Sequence, residues 1–386
     1  MMNREVFDLT QEEADLTGKL GNIIKNEINN CGGVIPFSRY MELALYYPQL
    51  GYYSNPRQKF GREGDFITAP VLSSLFGTTL SKQINQIFGF GVKKRILEFG
   101  AGNGRLAADI LKVIGNQLEH YYILELSADL VTLQRETISK LAGNFIDKII
   151  WLNCLPDKFD GVILANEVLD AQPCELVRVT DKVVTEVGVT NDKNGDFVYC
   201  DYKDVALLIK EAVDELHLPD NYLTEWHTSN TVFIATLAGI LNQGAILLID
   251  YGYGQEEYYH HEFSKGRLRG FFRHHVLDSV LVYPGLIDIT TSVDWTKVAV
   301  AAINHGLELI GYTTQASFLL SCGLIDQMSC LHAAISESEY LTLSNQVNQL
   351  IAPNQMGERF KVMALSKDIV ESDWLGFGSG DLSYTL

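Results

Sequence analysis

The segment Ile96-Leu97-Glu98-Phe99-Gly100-Ala101-Gly102-Asn103-Gly104-Arg105-Leu106 constrains this chain more than any other. A short apolar run passes straight into three alternating glycines. A helix follows, with Leu106, Ile110, Leu111 and Ile114 on one face. A strand–loop–helix of this kind offers bare backbone and unpaired helix N–H groups to an anionic or polar ligand. Further apolar runs occur at 121–126, 148–152, 161–165 and 245–249, and helical stretches separate the first four runs, counting that at 95–99. The alternation predicts an α/β fold, with a parallel sheet covered on both faces and ligands at the strand C-terminal ends.

Before residue 93 the pattern is helix and loop. Thr10-Gln-Glu-Glu13 reads as a capping box, apolar residues follow at helical spacing, and Cys31-Gly32-Gly33 ends the helix. Ser38 is expected to cap a short helix through Tyr47, and 71–88 is expected to be helical. Alternating segments 175–189 and 196–201 around Asn194-Gly195 predict a β-hairpin insertion within 174–230. The interval 252–291 reads as a loop insertion. A helix over 294–305 and late strands at 307–312 and 360–365 follow. The expected organisation is an N-terminal helical region over 1–92, a sheet domain over 93–366 with both insertions, and a loose acidic tail over 367–386.

Composition narrows the function. Apolar residues are 47% and charged residues 20%, which suits a globular chain. The net charge of -18 argues against general nucleic-acid binding, which needs clustered Lys and Arg. The six cysteines form no C-x-x-C pair, and no uncharged apolar run reaches the ~20 residues of a membrane span. The first fifteen residues resemble neither a secretory signal nor a transit peptide. A cytoplasmic protein is expected; the sequence leaves its oligomeric state open.

Two ligands compete for the glycine loop. A dinucleotide fingerprint requires glycine where Arg105 stands. The pattern Glu98-x-Gly100-x-Gly102-x-Gly104 instead resembles motif I of class I methyltransferases, which bind S-adenosyl-L-methionine (SAM). Glu125 lies 25 positions after Gly100 at the end of the next strand, where a carboxylate can accept both ribose hydroxyls of an adenosine cofactor. Strand four ends in Asn166-Glu167-Val-Leu-Asp170. If a helical turn begins there, Glu167 and Asp170 project to one side; a helix cap with ordinary surface acids is the alternative. Asp250 adds an acid after strand five. Gly376, Gly378 and Gly380 repeat the glycine spacing, but too few residues follow for a crossover.

The segments 33–41, 51–53, 64–70, 76–77, 98–104, 166–173, 250–252, 273–275, 283–290 and 311–315 together resemble the MidA family (mitochondrial dysfunction protein A), in the same order along nearly the whole chain. The resemblance implies a class I SAM-dependent methyltransferase with a Rossmann-like sheet, an N-terminal helical and lid region, and insertions. The family's mitochondrial members methylate an arginine on a core subunit of respiratory complex I. By resemblance, Gly64, Asp65, Phe66 and Thr68 form a lid over SAM, and Glu98, Gly100, Gly102, Gly104, Glu125 and Asn166 hold the cofactor. Glu167 and Asp170 would be catalytic, orienting a charged guanidinium through paired bonds. Asp250, Tyr251, Arg273, His274 and His275 would face the substrate. S-adenosyl-L-homocysteine would be the product, and the partner a protein acceptor, with a complex I subunit the type. Two departures stand out: Ala101 replaces the proline many members carry, and Leu277 replaces a third histidine. The histidines at 260, 261, 274 and 275 lack the H-x-x-x-H spacing of a helical metal pair, so no metal is expected. A small-molecule or RNA methyltransferase, or a SAM-binding assembly factor without catalysis, are the other readings.

Overall fold

The structure, a computed structural model, describes residues 7–55, 68–371 and 373–386. They fall into two compact units. One comprises 68–169, Val232–Gly252 and Trp295–Leu386; the other comprises 7–55, Asp170–Thr231 and Tyr253–Asp294.

The first unit is built on strands β1 (Arg95–Phe99), β2 (His120–Leu124), β3 (Ile149–Leu152), β4 (Phe159–Asn166), β5 (Leu241–Tyr253), β6 (Glu308–Thr314) and β7 (Phe360–Lys367). Their order across the sheet is β6–β7–β5–β4–β1–β2–β3. Strands β1 to β5 pair in parallel. Successive residues Val162, Ile163 and Leu164 of β4 are all fully buried, so both faces of the sheet are covered. The expectation of a wholly parallel sheet needs one correction. β7 runs antiparallel to both β5 and β6. β7 therefore starts at the end of the sheet where β6 stops, with only helices between them in sequence.

Helix Arg105–Ile114 buries the four apolar residues expected of it. Helix Ser74–Gly89 packs beside it, and a Cβ at Gly77 would stand 2.9 Å from Asp109 Cβ, so the close approach depends on glycine. Leu80, Ile84 and Ile87 of this helix enter the same core. A boundary at residue 92 would therefore cut this helix from the unit it stabilises. The C-terminal segment is not loose either. Trp374 is buried, Gly376 N–H donates to Gln83 Oε1 (2.7 Å), and Leu382 N–H donates to Tyr312 O (2.6 Å). Two aromatics of the tail, Trp374 and Phe377, pack on the rings of Phe90 and Phe318, partners that acidic composition does not reveal.

In the second unit the Thr10 capping box starts helix Gln11–Asn30 as expected. Ser38 does not cap the helix: Phe37–Tyr46 begins before it, with Pro36 in the N-cap position and no side-chain cap. The Asn194-Gly195 hairpin joins strands Val183–Asn191 and Phe197–Asp204. The run 175–189, read as one segment, is two strands. Asp181 and Lys182 both take positive φ (51° and 64°) and turn the chain between Glu175–Thr180 and Val183–Asn191. The interval read as loop, 252–291, contains a three-stranded sheet of Arg269–Phe272, His275–Leu277 and Asp288–Thr290. Its strands are too short to show periodicity.

Candidate active site

The glycine loop leaves β1 in left-handed backbone, with φ of 63° at Gly100, 52° at Gly102 and 82° at Gly104. The outer glycines meet different neighbours. A Cβ at Gly100 would lie 3.0 Å from Val168 Cγ2, in the segment leaving β4. A Cβ at Gly104 would lie 3.0 Å from Gln134 Cα, so the third glycine lets helix Ala128–Ala142 close on the loop. Asn103 Oδ1 accepts from Arg105 N–H (3.0 Å) and so satisfies one helix-terminal donor. The Arg105 side chain pairs with buried Asp109 at 2.6 Å. This pair accounts for an arginine where a dinucleotide loop needs glycine.

Glu98 sits on β1 behind the loop and is buried. Tyr121, from the neighbouring β2, donates its hydroxyl to Glu98 Oε2 at 3.0 Å. Burial pushes the Glu98 carboxyl up to about 8, and the Tyr121 bond pulls only partly the other way. A carboxyl in this state is mostly neutral at pH 7 and ionises when a cationic group arrives beside it.

Glu125 follows β2 directly. Its Oε1 accepts from Ser127 N–H (2.9 Å) and its Oε2 from Gln134 Nε2 (3.1 Å). The same Gln134 nitrogen donates to Gly102 O (3.0 Å), and Gln134 Oε1 accepts from Trp151 Nε1 (2.9 Å). Gln134 is fully buried. Sequence reading missed it, although it shares the buried stripe of its helix with Ile138 and Ala142, and a polar residue on such a stripe is a signal.

At the end of β4, Asn166 is buried and its Oδ1 has no hydrogen-bond partner among the described residues. Its Nδ2 donates to Glu167 Oε1 (3.2 Å). Glu167 has φ 53°, and its N–H donates to Ile249 O (2.8 Å). The expected helical turn is absent, so the shared-face argument for Glu167 and Asp170 falls. Asp250, buried on β5, accepts from Leu169 N–H (2.9 Å) with Oδ2 and from Tyr251 N–H (2.9 Å) with Oδ1. Asp250 thus anchors the segment after β4. The Tyr251 ring lies edge-on to Phe360 at 5.7 Å. Thr68 precedes the short helix Ala69–Leu72, and Gly64, Asp65 and Phe66 lie outside the described residues.

The remaining expected residues belong to the second unit. Asp170 is buried, and its carbonyl accepts from Thr291 N–H (3.0 Å). Tyr53 donates to Asp288 Oδ1 (2.8 Å), and burial, then the charges of Asp288 and Asp170, push the Tyr53 phenol up. Arg273 Nη2 donates to Glu13 Oε2 (2.7 Å), within the capping box of the first helix. His274 and His275 are exposed, and the His275 ring stands 5.5 Å from Phe7. Arg273 therefore has a structural partner within its own unit.

The first unit fits an adenosine-bearing cofactor with a cationic end. It has a bare-backbone loop, a carboxylate at Glu125 placed as for a ribose, a chargeable buried acid at Glu98, and a buried amide oxygen at Asn166 that lacks a donor among the described residues.

Comparison with known proteins bears on this fit. A family described as S-adenosyl-L-methionine-dependent methyltransferase matches residues 79–313. The protein arginine methyltransferase NDUFAF7, mitochondrial, of Danio rerio is 28% identical over 368 residues, covering 86% of this chain and 83% of its own length. The Drosophila melanogaster homolog is 28% identical over 381 residues, with 90% and 85% covered. A Burkholderia thailandensis protein, solved bound to S-adenosyl-homocysteine, is 38% identical with a TM-score of 0.94, covering 99% of this chain and 100% of its own.

Proposed function

The chain belongs to the family of S-adenosyl-L-methionine-dependent methyltransferases, and we propose that the group it methylates is an arginine side chain of a protein acceptor. SAM is the cofactor and S-adenosyl-L-homocysteine the product. Bound, the cofactor supplies an electrophilic methyl group on a sulfonium. In the proposed assignment Glu98 takes its amino-acid end, Gly100, Gly102 and Gly104 give its path, Glu125 accepts from the ribose hydroxyls, and Asn166 supplies a buried acceptor. The lid role of Gly64, Asp65, Phe66 and Thr68 is part of the same proposal.

One observation carries the arginine reading. Glu167 is an acid held in left-handed backbone at the end of β4, one residue from the Val168 side chain that packs on Gly100. Strain of this kind persists where surrounding structure demands it, and it clusters at functional sites. An arginine guanidinium is charged at all working pH values, so a methyltransferase must orient it rather than deprotonate it beforehand. A carboxylate aligned on its planar fork aims one nitrogen at the methyl group and can take the proton that this nitrogen loses as the N–C bond forms and the S–C bond breaks. Asp170 is proposed as a second acid for this acceptor, supported by its burial within electrostatic reach of Tyr53. Tyr251, Arg273, His274 and His275 are proposed to contact the acceptor chain. The net charge of -18 favours a basic segment. The relatives' names specify arginine and mitochondria for those proteins; a complex I subunit is the proposed type of acceptor here and the cytoplasm the proposed compartment. Among the described residues no helix is long and apolar enough to cross a membrane.

The test is purified protein, SAM and an arginine segment of the complex I subunit type, read by mass spectrometry. Arginine-borne methyl groups are expected. Glu167→Gln and Asp170→Asn should each lose on the order of a hundredfold in rate while SAM affinity stays within a few-fold. Methylation at the parental rate in both variants removes these acids from the acceptor site.

A further inference from the structure

We propose that Gln134 is a positioning residue for the cofactor's ribose, acting through Glu125; the inference rests on the ribose role assigned to Glu125 above. Gln134 uses its whole amide. One hydrogen goes to Gly102 O at 3.0 Å and the other to Glu125 Oε2 at 3.1 Å, while its oxygen accepts from Trp151 Nε1 at 2.9 Å. An indole N–H can only donate, so Trp151 dictates which end of the amide is the oxygen and turns the NH2 towards Gly102 and Glu125. Arg135 lies over the Trp151 ring at 3.8 Å and helps hold it.

The arrangement couples two parts of the cofactor site that are 23 residues apart in sequence (102 and 125). One side chain sets the distance between the glycine loop and the carboxylate. Ser127 N–H holds the other carboxylate oxygen at 2.9 Å, so the plane of Glu125 is defined from both sides before a ligand arrives. Carboxylate oxygens accept more than one bond, so these contacts leave the group able to accept from a vicinal diol. Prior ordering reduces the entropy lost on binding. Other side chains fail here for stated reasons. Glutamate has no hydrogens to donate and brings a second negative charge to Glu125. Leucine fills the space but donates nothing. Asparagine is one methylene shorter. The bare Cα of Gly104 is what brings the Gln134 backbone close enough to reach all three partners.

The experiment is calorimetric titration of the full chain with S-adenosyl-L-homocysteine, together with melting of the ligand-free protein. Gln134→Leu and Glu125→Gln should each weaken binding by about ten- to a hundredfold. The double variant should be no more than about threefold weaker than the weaker single variant, because the two residues act as one unit. Trp151→Phe keeps the ring but removes the donor, and should cost a few-fold that disappears in the Glu125→Gln background. If Gln134→Leu does not fold, the Trp151→Phe cycle alone decides. Parental affinity in Gln134→Leu, or losses that multiply in the double variant, overturn the inference while leaving the Glu125 role intact. Parental affinity in Glu125→Gln overturns both.

Discussion

Tyr121 donates its hydroxyl hydrogen to Glu98 Oε2 across the parallel β1–β2 pair at 3.0 Å, and the carboxyl that accepts this bond is pushed up to about 8 by burial. Between the ordinary value of 4.5 and about 8, the folded protein keeps a proton that the unfolded chain has released. Folding stability therefore falls as pH rises through that window, and the full penalty, on the order of a few kcal/mol, is present above it. Glu98→Gln should flatten this component of the melting profile between pH 5 and 9. Cofactor binding at pH 7 should release about one proton in the parent and none in the variant, read as buffer-dependent enthalpy. The same enthalpy in buffers of different ionisation heat would sink this account of Glu98.

Glu167 has φ 53°, a conformation glycine adopts without steric cost. Glu167→Gly should be as stable as the parent or more stable by up to ~1 kcal/mol, and yet lose methyl transfer. A variant that melts lower would show that the side chain supports the fold.

Asp250 accepts two backbone N–H bonds in a buried setting. Asp250→Ala strands both donors, at about 1–3 kcal/mol each. A marked drop in melting temperature, with acceptor affinity changing only as the segment after β4 loosens, is the expected result. Unchanged melting would instead assign Asp250 directly to the substrate.

Trp374 is buried, its indole donates to Glu371 O (2.7 Å), and its ring lies 5.9 Å from Phe90. Trp374→Ala should cost about 3–5 kcal/mol. Denaturant unfolding checks this, and a neutral result would mean that the C-terminal segment contributes nothing to the core.

Much of the geometry of the candidate cofactor site was legible in the linear chain, because its parts are local. A strand, a run of glycines and a helix are decided by neighbours a few positions away, and Glu98 and Glu125 occupy positions defined by where strands start and stop. The same locality explains the failures. Ser38 has capping chemistry but the helix begins before it, and the three-residue spacing of Glu167 and Asp170 suits a helix, whereas Glu167 takes left-handed backbone and its N–H bonds to Ile249 O on the neighbouring strand. Periodicity reports which face of an element is apolar and says nothing about the partner of a buried polar atom.

By itself the sequence determined the α/β alternation, the glycine cradle with its two acids, and the hairpin at Asn194-Gly195, since backbone preference and apolar spacing act over a few residues. Only the tertiary structure decided that β7 runs in reverse, that the tail closes on Tyr312 and Gln83, that the chain divides into units assembled from separated segments, and that Gln134 joins Gly102 to Glu125. Those outcomes depend on which donors and acceptors remain unpaired once strands have taken their register, and that residue of unmet hydrogen bonds exists only in the folded chain.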